Sequence, residues 1–536
     1  CGPAIWLGHL DGRFASADAC DARTGRPRVQ WYLDAAQQFL TAAYSDLTTA
    51  AAPPRNGRTK HVLAMPVVGT GTGGARQSSG DVIAGLLRLL LQFVTHHDVD
   101  CALVVKSDAM FSAAQAVRRT SFASFGPQLW ERTLGKRLCL ASSRLAGLAT
   151  QDQLCLFLGA GVSVGAGLPQ WQQLLTSLAT RPDVPFSPEE VEQLRTLSLP
   201  DQAAVLNTRL GSDARLQQLV VDELSADFYS VTHGLLAGLP VKVIVTTNYD
   251  TLMERAWGAA QAEFTVLPYE NKASDRFILK LHGDVRRPED IVLTRSQMSN
   301  QRDRGRALSG ILQTILMTKH LLFVGFSLQD PNFSEVAGTV RRAISPQPNG
   351  TALDTFGTSL TLHNRPLLAE LWPDLQFVPM DSTDASDSNR HSNAMCARRL
   401  ELFLDKLSVD SSSCTKHLLD EDFSGIFSEE EKALKACLTR FRTRLQNNEA
   451  ARRSSGFFVV LDTLRQLGDT ETAMPDEEVG LEDDLGLEDD APYSAHYSAQ
   501  AAAATSAAAP PSAAMTDEEA AKRAWLAKFD QHDRRP

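Results

Sequence analysis

The stretch Leu154–Trp171, LCLFLGAGVSVGAGLPQW, restricts the fold of this chain more than any other. Its five leading residues are all apolar, the pattern of a strand buried on both faces of a parallel sheet wrapped by helices. The run passes directly into Gly159, Ala160 and Gly161, followed by Ser163, Gly165 and Gly167. Glycines immediately after a strand permit a sharp turn and a close approach of backbone to whatever lies beyond the strand end. A helix expected from Pro169 would aim unpaired N–H groups and the positive end of its dipole at the same place. Two readings stay open on this segment alone: a tight structural turn, or a cradle for phosphate groups.

Four further runs read as strands: Val241–Thr246, Phe277–Leu281, His320–Val324 and Leu375–Pro379. Helical stretches separate them, one opening at Ser187–Glu190 with a capping box and Pro188 at its first position. Strands alternating with helices imply an α/β fold, a Rossmann-like parallel sheet covered on both faces. Such sheets bind ligands beyond the carboxyl ends of their strands. Those ends carry Thr247, Asn248 and Asp250 after the first of these runs, His282 and Gly283 after the second, and Gly325 and Ser327 after the third. Any one of them is most simply an ordinary loop. Together with the Gly159–Gly167 loop, four polar strand ends are hard to explain by turn chemistry.

The net charge of -11 belongs to a tail. Fourteen Asp or Glu and no Lys or Arg lie between Gln466 and Ala521, and the last fifteen residues carry +3, which leaves residues 1–465 neutral overall. That balance argues against nucleic acid as a partner. Cys1, Cys20, Cys101, Cys139, Cys155, Cys396, Cys414 and Cys437 are scattered without a CxxC pair. This spacing suits neither a disulfide framework nor a zinc module and is consistent with a reducing, cytoplasmic setting, so no metal is expected. The most apolar run, Leu86–Val94, is interrupted by Arg88 and too short to span a bilayer, so no membrane is expected either. No signal peptide is visible, although a chain that opens at Cys1 leaves an earlier targeting segment open.

The chain divides into residues 1–125, a linking helix within 126–150 (Pro127–Leu148), the parallel-sheet domain at 151–385, a helical extension at 395–467 and a tail at 468–536. The tail repeats GLEDD at Gly480–Asp484 and Gly486–Asp490 before an Ala/Ser/Pro-rich tract, a composition that predicts disorder. A capped amphipathic patch closes it, with Thr516, Glu519, Trp525, Leu526 and Phe529. In the first zone, strands are predicted at Ala4–Leu10, His61–Val68 and Cys101–Lys106, and helices at Arg28–Tyr44 and Asp81–Thr95. Met65–Gly74, MPVVGTGTGG, repeats the strand-to-glycine grammar with Gly69, Thr70, Gly71, Gly73 and Gly74, either as a second phosphate loop or as a flexible Gly/Thr turn.

At this point the chain resembles the sirtuin family. GAGVSVGAGLP is similar to its glycine-rich NAD loop, TTNYD stands where the family has Gln-Asn-Ile-Asp, LHG matches its catalytic histidine motif, and GFS resembles its late Gly-Thr-Ser loop. The departures select a branch. No cysteine lies between Gly283 and Gly325, where the conventional deacylases carry two zinc-binding CxxC pairs. Gln172 follows Trp171 in place of the usual arginine, and Met298 stands where a tyrosine is common. The resemblance is to the zinc-less branch, which includes NAD hydrolases of bacterial antiphage defence.

That resemblance implies an NAD hydrolase with no zinc and a homo-oligomeric state. Asn248 would hold the nicotinamide ribose and orient a water, with His282 as general base. Gly159, Ala160, Gly161, Ser163 and Gly167 would cradle the phosphates, Thr247 and Asp250 would face the nicotinamide end, and Gly325 and Ser327 the adenosine side. The alternatives are an NAD-dependent ADP-ribosyl or acyl-lysine transferase and a non-catalytic NAD or ADP-ribose scaffold. Residues 4–22, AIWLGHLDGRFASADACDA, are similar to the opening of macro domains, though Asp11 and Gly12 are reversed and Arg23-Thr24-Gly25 replaces the Asn-rich loop. This implies a macro-like first domain that takes an ADP-ribose-like nucleotide through Gly69–Gly74 and regulates the second.

Overall fold

A computed structural model describes residues 20, 28–71, 73–120, 126–294, 296–297, 302–343, 356–381, 392–412 and 415–469. The expectations for Ala4–Leu10, for Asp11 and Gly12, for Arg23-Thr24-Gly25, for Met298 and for the tail beyond Asp469 lie outside these residues.

Seven parallel strands form the central sheet. They are β3 (Leu154–Leu158), β4 (Val243–Thr246), β5 (Thr265–Leu267), β6 (Phe277–Lys280), β7 (His320–Val324), β8 (Gly357–Thr361) and β9 (Leu375–Pro379), in the order β5-β6-β4-β3-β7-β8-β9. The glycine-rich segment therefore leaves the middle strand, whose residues Leu154–Leu158 pair with His320–Val324 on one side and, over Leu156–Leu158, with Ile244–Thr246 on the other. Side chains alternate across the sheet as the strand period demands. Leu154, Leu156 and Leu158 enter one core, and Cys155 and Phe157 enter the other. The first core is completed by Leu138, Leu145, Trp257, Phe403, Leu404 and Leu407, the second by Leu312, Ile315, Phe333 and Val340.

Two strands escape the hydropathy reading. β5 has three residues, and β8 is the polar run GTSLT. Thr358 and Ser359 are nonetheless buried, because β8 lies between β7 and β9 and the hydroxyl of Thr358 accepts from Arg144 (2.6 Å). The helix placed at Pro127–Leu148 is two helices, Gly126–Leu134 and Lys136–Thr150, broken at Gly135, whose φ of 81° is left-handed. The helix after the glycine loop starts at Trp171 rather than Pro169, since two short 3-10 turns, Ala160–Val162 and Val164–Ala166, occupy the intervening chain. Gln170 and Gln173 then form its capping box. The box expected at Ser187–Glu190 is present, with Ser187 Oγ accepting from Glu190 N–H.

In the first zone β1 (His61–Pro66) and β2 (Val99–Val104) pair in parallel, and the helices Val29–Ala50, Ser79–His96 and Asp108–Thr120 accompany them. The stretch Arg76–His96 is long and apolar enough to cross a membrane by composition. Its Val82, Ile83, Leu86, Leu90 and Phe93 are buried in the core of this zone. Phe423 and Phe427 insert into the same core from far along the chain. The helical stretch after the sheet thus serves two cores: Asn393–Ser411 covers the sheet, and the turn Glu421–Ile426 closes the first zone.

Polar pairs line this junction. Arg118 makes a two-pronged pair with Asp405 (2.7 and 2.6 Å), Arg398 pairs with Asp100 (2.6 Å), and Arg58 pairs with Glu401 (2.5 Å). His417 is buried against Phe423 and Phe427 and shares a hydrogen bond with Ser112 (3.0 Å). Burial pushes its imidazole down to about 4 from 6.5. As pH falls through 6.5 the unfolded chain takes up a proton that the folded chain refuses, so stability is lost until pH reaches about 4. Denaturation followed between those pH values is expected to show a steeper loss for the wild type than for His417→Gln.

Candidate functional site

Beyond the carboxyl ends of the four central strands, the loops after β3 and β7 lie backbone to backbone. Gly159 N–H donates to Val324 O (3.1 Å) and Gly161 N–H to Gly325 O (3.0 Å). A Cβ at Gly159 would meet Gly325 O at 2.6 Å, and one at Gly161 would meet Gly325 Cα at 2.7 Å. Gly325 has φ 65°, and a Cβ there would sit 2.5 Å from Val162 N. Close packing of one loop on the other therefore accounts for these three glycines.

Asn248 and His282 occupy equivalent places on neighbouring strands, since Thr246 pairs with Lys280 and each lies two residues before one of them. The Asn248 amide donates to Gly159 O (3.2 Å) and Ser163 Oγ (3.4 Å). Its Oδ1 is buried and has no partner in the protein. Ser163 and Asp250 spend their polar atoms on the chain itself: Ser163 Oγ donates to Asp250 Oδ2 (2.8 Å), and Asp250 Oδ1 accepts from Leu252 N–H (3.0 Å). Thr247 is half-buried, its N–H bonded to Leu158 O (3.3 Å). Gly167, φ 92°, closes the turn, and the neighbouring Gly165 O accepts from Asn56 of the first zone (2.8 Å). Ala160 sits in the first 3-10 turn, and Ser327 is exposed, its Oγ accepting from Gln329 N–H (3.4 Å).

Residues 242–371 match the SIR2-like domain family. The chain carries a sirtuin-like domain. It is similar to an NAD(+) hydrolase ThsA of Enterococcus faecium, 28% identical over 267 residues, 48% of this chain and 51% of that protein. Another NAD(+) hydrolase ThsA, from Bacillus cereus, is 30% identical over 36% of this chain and 41% of its own length. The defense-associated sirtuin 2 of Bacillus subtilis is 27% identical over 35% of this chain and 19% of that protein. The chain thus spans about half or less of the length of these relatives.

Two residues that hold the candidate site together escaped the sequence reading. Asp330 Oδ1 caps the helix Pro331–Ala343 by accepting from Asn332 N–H (2.8 Å) and Phe333 N–H (3.1 Å), while Oδ2 bonds His282 Nε2. Burial would raise this carboxyl, but His282 and the two N–H groups hold it below its ordinary value. Asp before Pro at a helix start was the available signal. Leu328, at φ 62° and buried, turns the intervening chain so that Asp330 faces inward. An Asn at this position still caps the helix but no longer fixes the imidazole by charge. Asp330→Asn is expected to cut turnover about 100-fold while the thermal midpoint stays close to wild type.

The other is Lys280, fully buried in β6. Its Nζ donates to Tyr249 O (3.1 Å), Asp250 O (2.7 Å) and Glu254 (3.0 Å) and pairs with Asp284 (2.8 Å). Against the effect of burial, Arg286 and Lys280 hold the Asp284 carboxyl at about 2. Burial pushes Glu254 up despite Lys280. A lone lysine within an apolar strand was the signal, FILKLH. It ties the Thr247–Asp250 loop to the strand that carries His282.

In the loop at Gly69–Gly74, packing explains Gly69 and Gly73, while a Cβ at Gly71 would meet nothing within 4 Å. Tyr32 lies beneath the loop and donates to Gly73 O (2.6 Å); a Cβ at Gly69 would meet the Tyr32 ring at 2.4 Å. Thr70 Oγ1 donates to Val67 O (3.1 Å), and Ala75 N–H to Gly69 O (2.9 Å).

Proposed function

We propose that the sirtuin-like domain hydrolyses NAD between nicotinamide and ribose. The observation that carries this reading is Asn248 Oδ1, a buried acceptor without a protein partner beside a histidine already oriented by a carboxylate. Such an atom costs about 1–3 kcal/mol when left unmade, a cost that a ribose hydroxyl or a positioned water would remove. In this reading the pyrophosphate would lie against the backbone of the packed glycine loops, with the exposed Ser327 on the adenosine side. On the same reading His282 Nε2–H donates to Asp330, which leaves Nδ1 to accept the proton.

In this reading the bond from ribose C1′ to the nicotinamide nitrogen breaks with its electron pair going to nicotinamide. Water oxygen bonds C1′, and its proton passes by way of His282 to solvent, giving nicotinamide, ADP-ribose and one proton. Positive charge developing on the ribose faces the Asn248 oxygen, a fixed dipole that needs no reorganisation. The names of the relatives support the same substrate.

The test is chromatography of nicotinamide and ADP-ribose after incubating the full chain with NAD. Release that disappears in Asn248→Ala and His282→Ala supports hydrolysis. No release from the wild type overturns it, and labelled NAD appearing on protein with the same residue dependence assigns a transferase instead.

A further inference from the structure

Away from this site, three chemically distinct metal-binding side chains converge at the sheet edge. His363 follows β8, Asp381 follows β9 and Cys396 lies in the first turns of the helix Asn393–Ser411. His363 Nδ1 is 3.0 Å from Asp381 Oδ2 and 4.0 Å from Cys396 Sγ, and the three ligand atoms all lie within 4.8 Å of one another. Asp381 and Cys396 are buried, while His363 keeps partial access to solvent.

The imidazole is held from its far side too. His363 Nε2 lies 2.6 Å from Asn393 Oδ1, so both ring nitrogens face oxygen acceptors. A neutral imidazole has one N–H. With that proton on Nε2 and given to Asn393, the Nδ1 lone pair faces the carboxylate and a cation between them would satisfy both; with the proton on Nδ1 the ring donates to Asp381 instead. An outer partner on the second ring nitrogen is the usual companion of a metal-bound histidine. Bond lengths of about 2.0–2.1 Å to nitrogen and oxygen and about 2.3 Å to sulfur imply tetrahedral edges of roughly 3.4 Å for N···O and 3.6 Å for S···N. The N···O and S···N separations straddle those edges and the carboxylate oxygen lies within 4.8 Å of the sulfur, so an ion would need the three groups to draw in modestly around it.

We propose that His363 Nδ1, Asp381 Oδ2 and Cys396 Sγ bind one borderline-soft divalent transition-metal ion, zinc in class, with a water at the fourth position. The site is structural. It ties the β8–β9 edge to the helix whose Phe403, Leu404 and Leu407 enter the sheet core and whose Arg398 and Glu401 pair with the first zone. Burial, and then Asp381, pushes the Cys396 thiol up to about 11, so binding would release its proton. The expectation of a metal-free chain rested on CxxC spacing; here the ligands come from three separate elements, which no spacing motif reveals.

The experiment is titration of the chelator-treated full chain with Co(II), read by absorbance, alongside metal analysis of the chain as purified. A sulfur-to-cobalt charge-transfer band with the intense visible bands of a tetrahedral ion, saturating near one ion per chain, is expected. Cys396→Ser should remove the charge-transfer band, and His363→Gln should weaken binding at least 10-fold. Cys437→Ser, altering an exposed cysteine elsewhere, should keep both. Because the wild-type titration needs no variant to fold, absence of the band from it overturns the site and leaves a histidine–carboxylate hydrogen bond. Persistence of the band in Cys396→Ser overturns it equally.

Discussion

Asn248→Ala is expected to reduce nicotinamide release about 100-fold or more while changing stability by only about 1 kcal/mol. The asymmetry follows from how this side chain is used. Its bonds inside the protein are two long ones, to Gly159 O at 3.2 Å and Ser163 Oγ at 3.4 Å, and a hydrogen bond of ordinary strength contributes about 1 kcal/mol. Its carbonyl oxygen contributes nothing to the folded chain, being buried without a partner. If that oxygen holds the ribose or the attacking water, its loss misplaces a reacting atom, and misplacement by about 1 Å costs on the order of 100-fold. Steady-state release of nicotinamide, measured beside a thermal melt, reads both quantities. A variant with near-wild-type turnover would remove Asn248 from the chemistry.

Lys280→Met is expected to carry the largest stability loss of any single change near the site, about 3–5 kcal/mol. The substitution matches the lysine in length and hydrophobic stem but strands what its ammonium serves. The carbonyl oxygens of Tyr249 and Asp250 lose a donor, and the buried carboxylates of Glu254 and Asp284 lose their shared cation. Asp284 keeps Arg286 at 2.7 Å, whereas Glu254 lies at a longer 3.6 Å from the same guanidinium. The double variant Lys280→Met/Glu254→Gln is therefore expected to recover part of the loss, since it removes the charge left uncompensated. Urea denaturation of the single and double variants measures this directly. Equal stabilities for wild type and Lys280→Met would show that the cluster is not coupled to folding.

The central strands were legible because apolar runs bounded by glycine and polar residues have few other solutions. β3, β7 and β9 occupy the predicted residues. β8 was not legible: Thr358 and Ser359 are buried by their neighbours, and hydropathy reports only a residue's own preference. The helical stretch after the sheet carries Leu400, Phe403, Leu404 and Leu407 on one stripe, yet its division between two cores depends on packing against the sheet on one side and around Tyr32 and Val82 on the other.

Sequence alone determined the parallel α/β sheet, the order of its motifs and the candidacy of Asn248 and His282. Local chemistry suffices for these, because strand patterns, glycine turns and the residues at strand ends are written contiguously. Only the tertiary structure decided what each of those residues touches. It turned Ser163 towards Asp250, joined Gly159 and Gly161 to Gly325, placed Asp330 on His282 and buried Lys280 under the Asn248 loop. It also brought His363, Asp381 and Cys396 together from three elements. These are pairings between distant parts of the chain, fixed by sheet order and helix packing, and no local pattern encodes them.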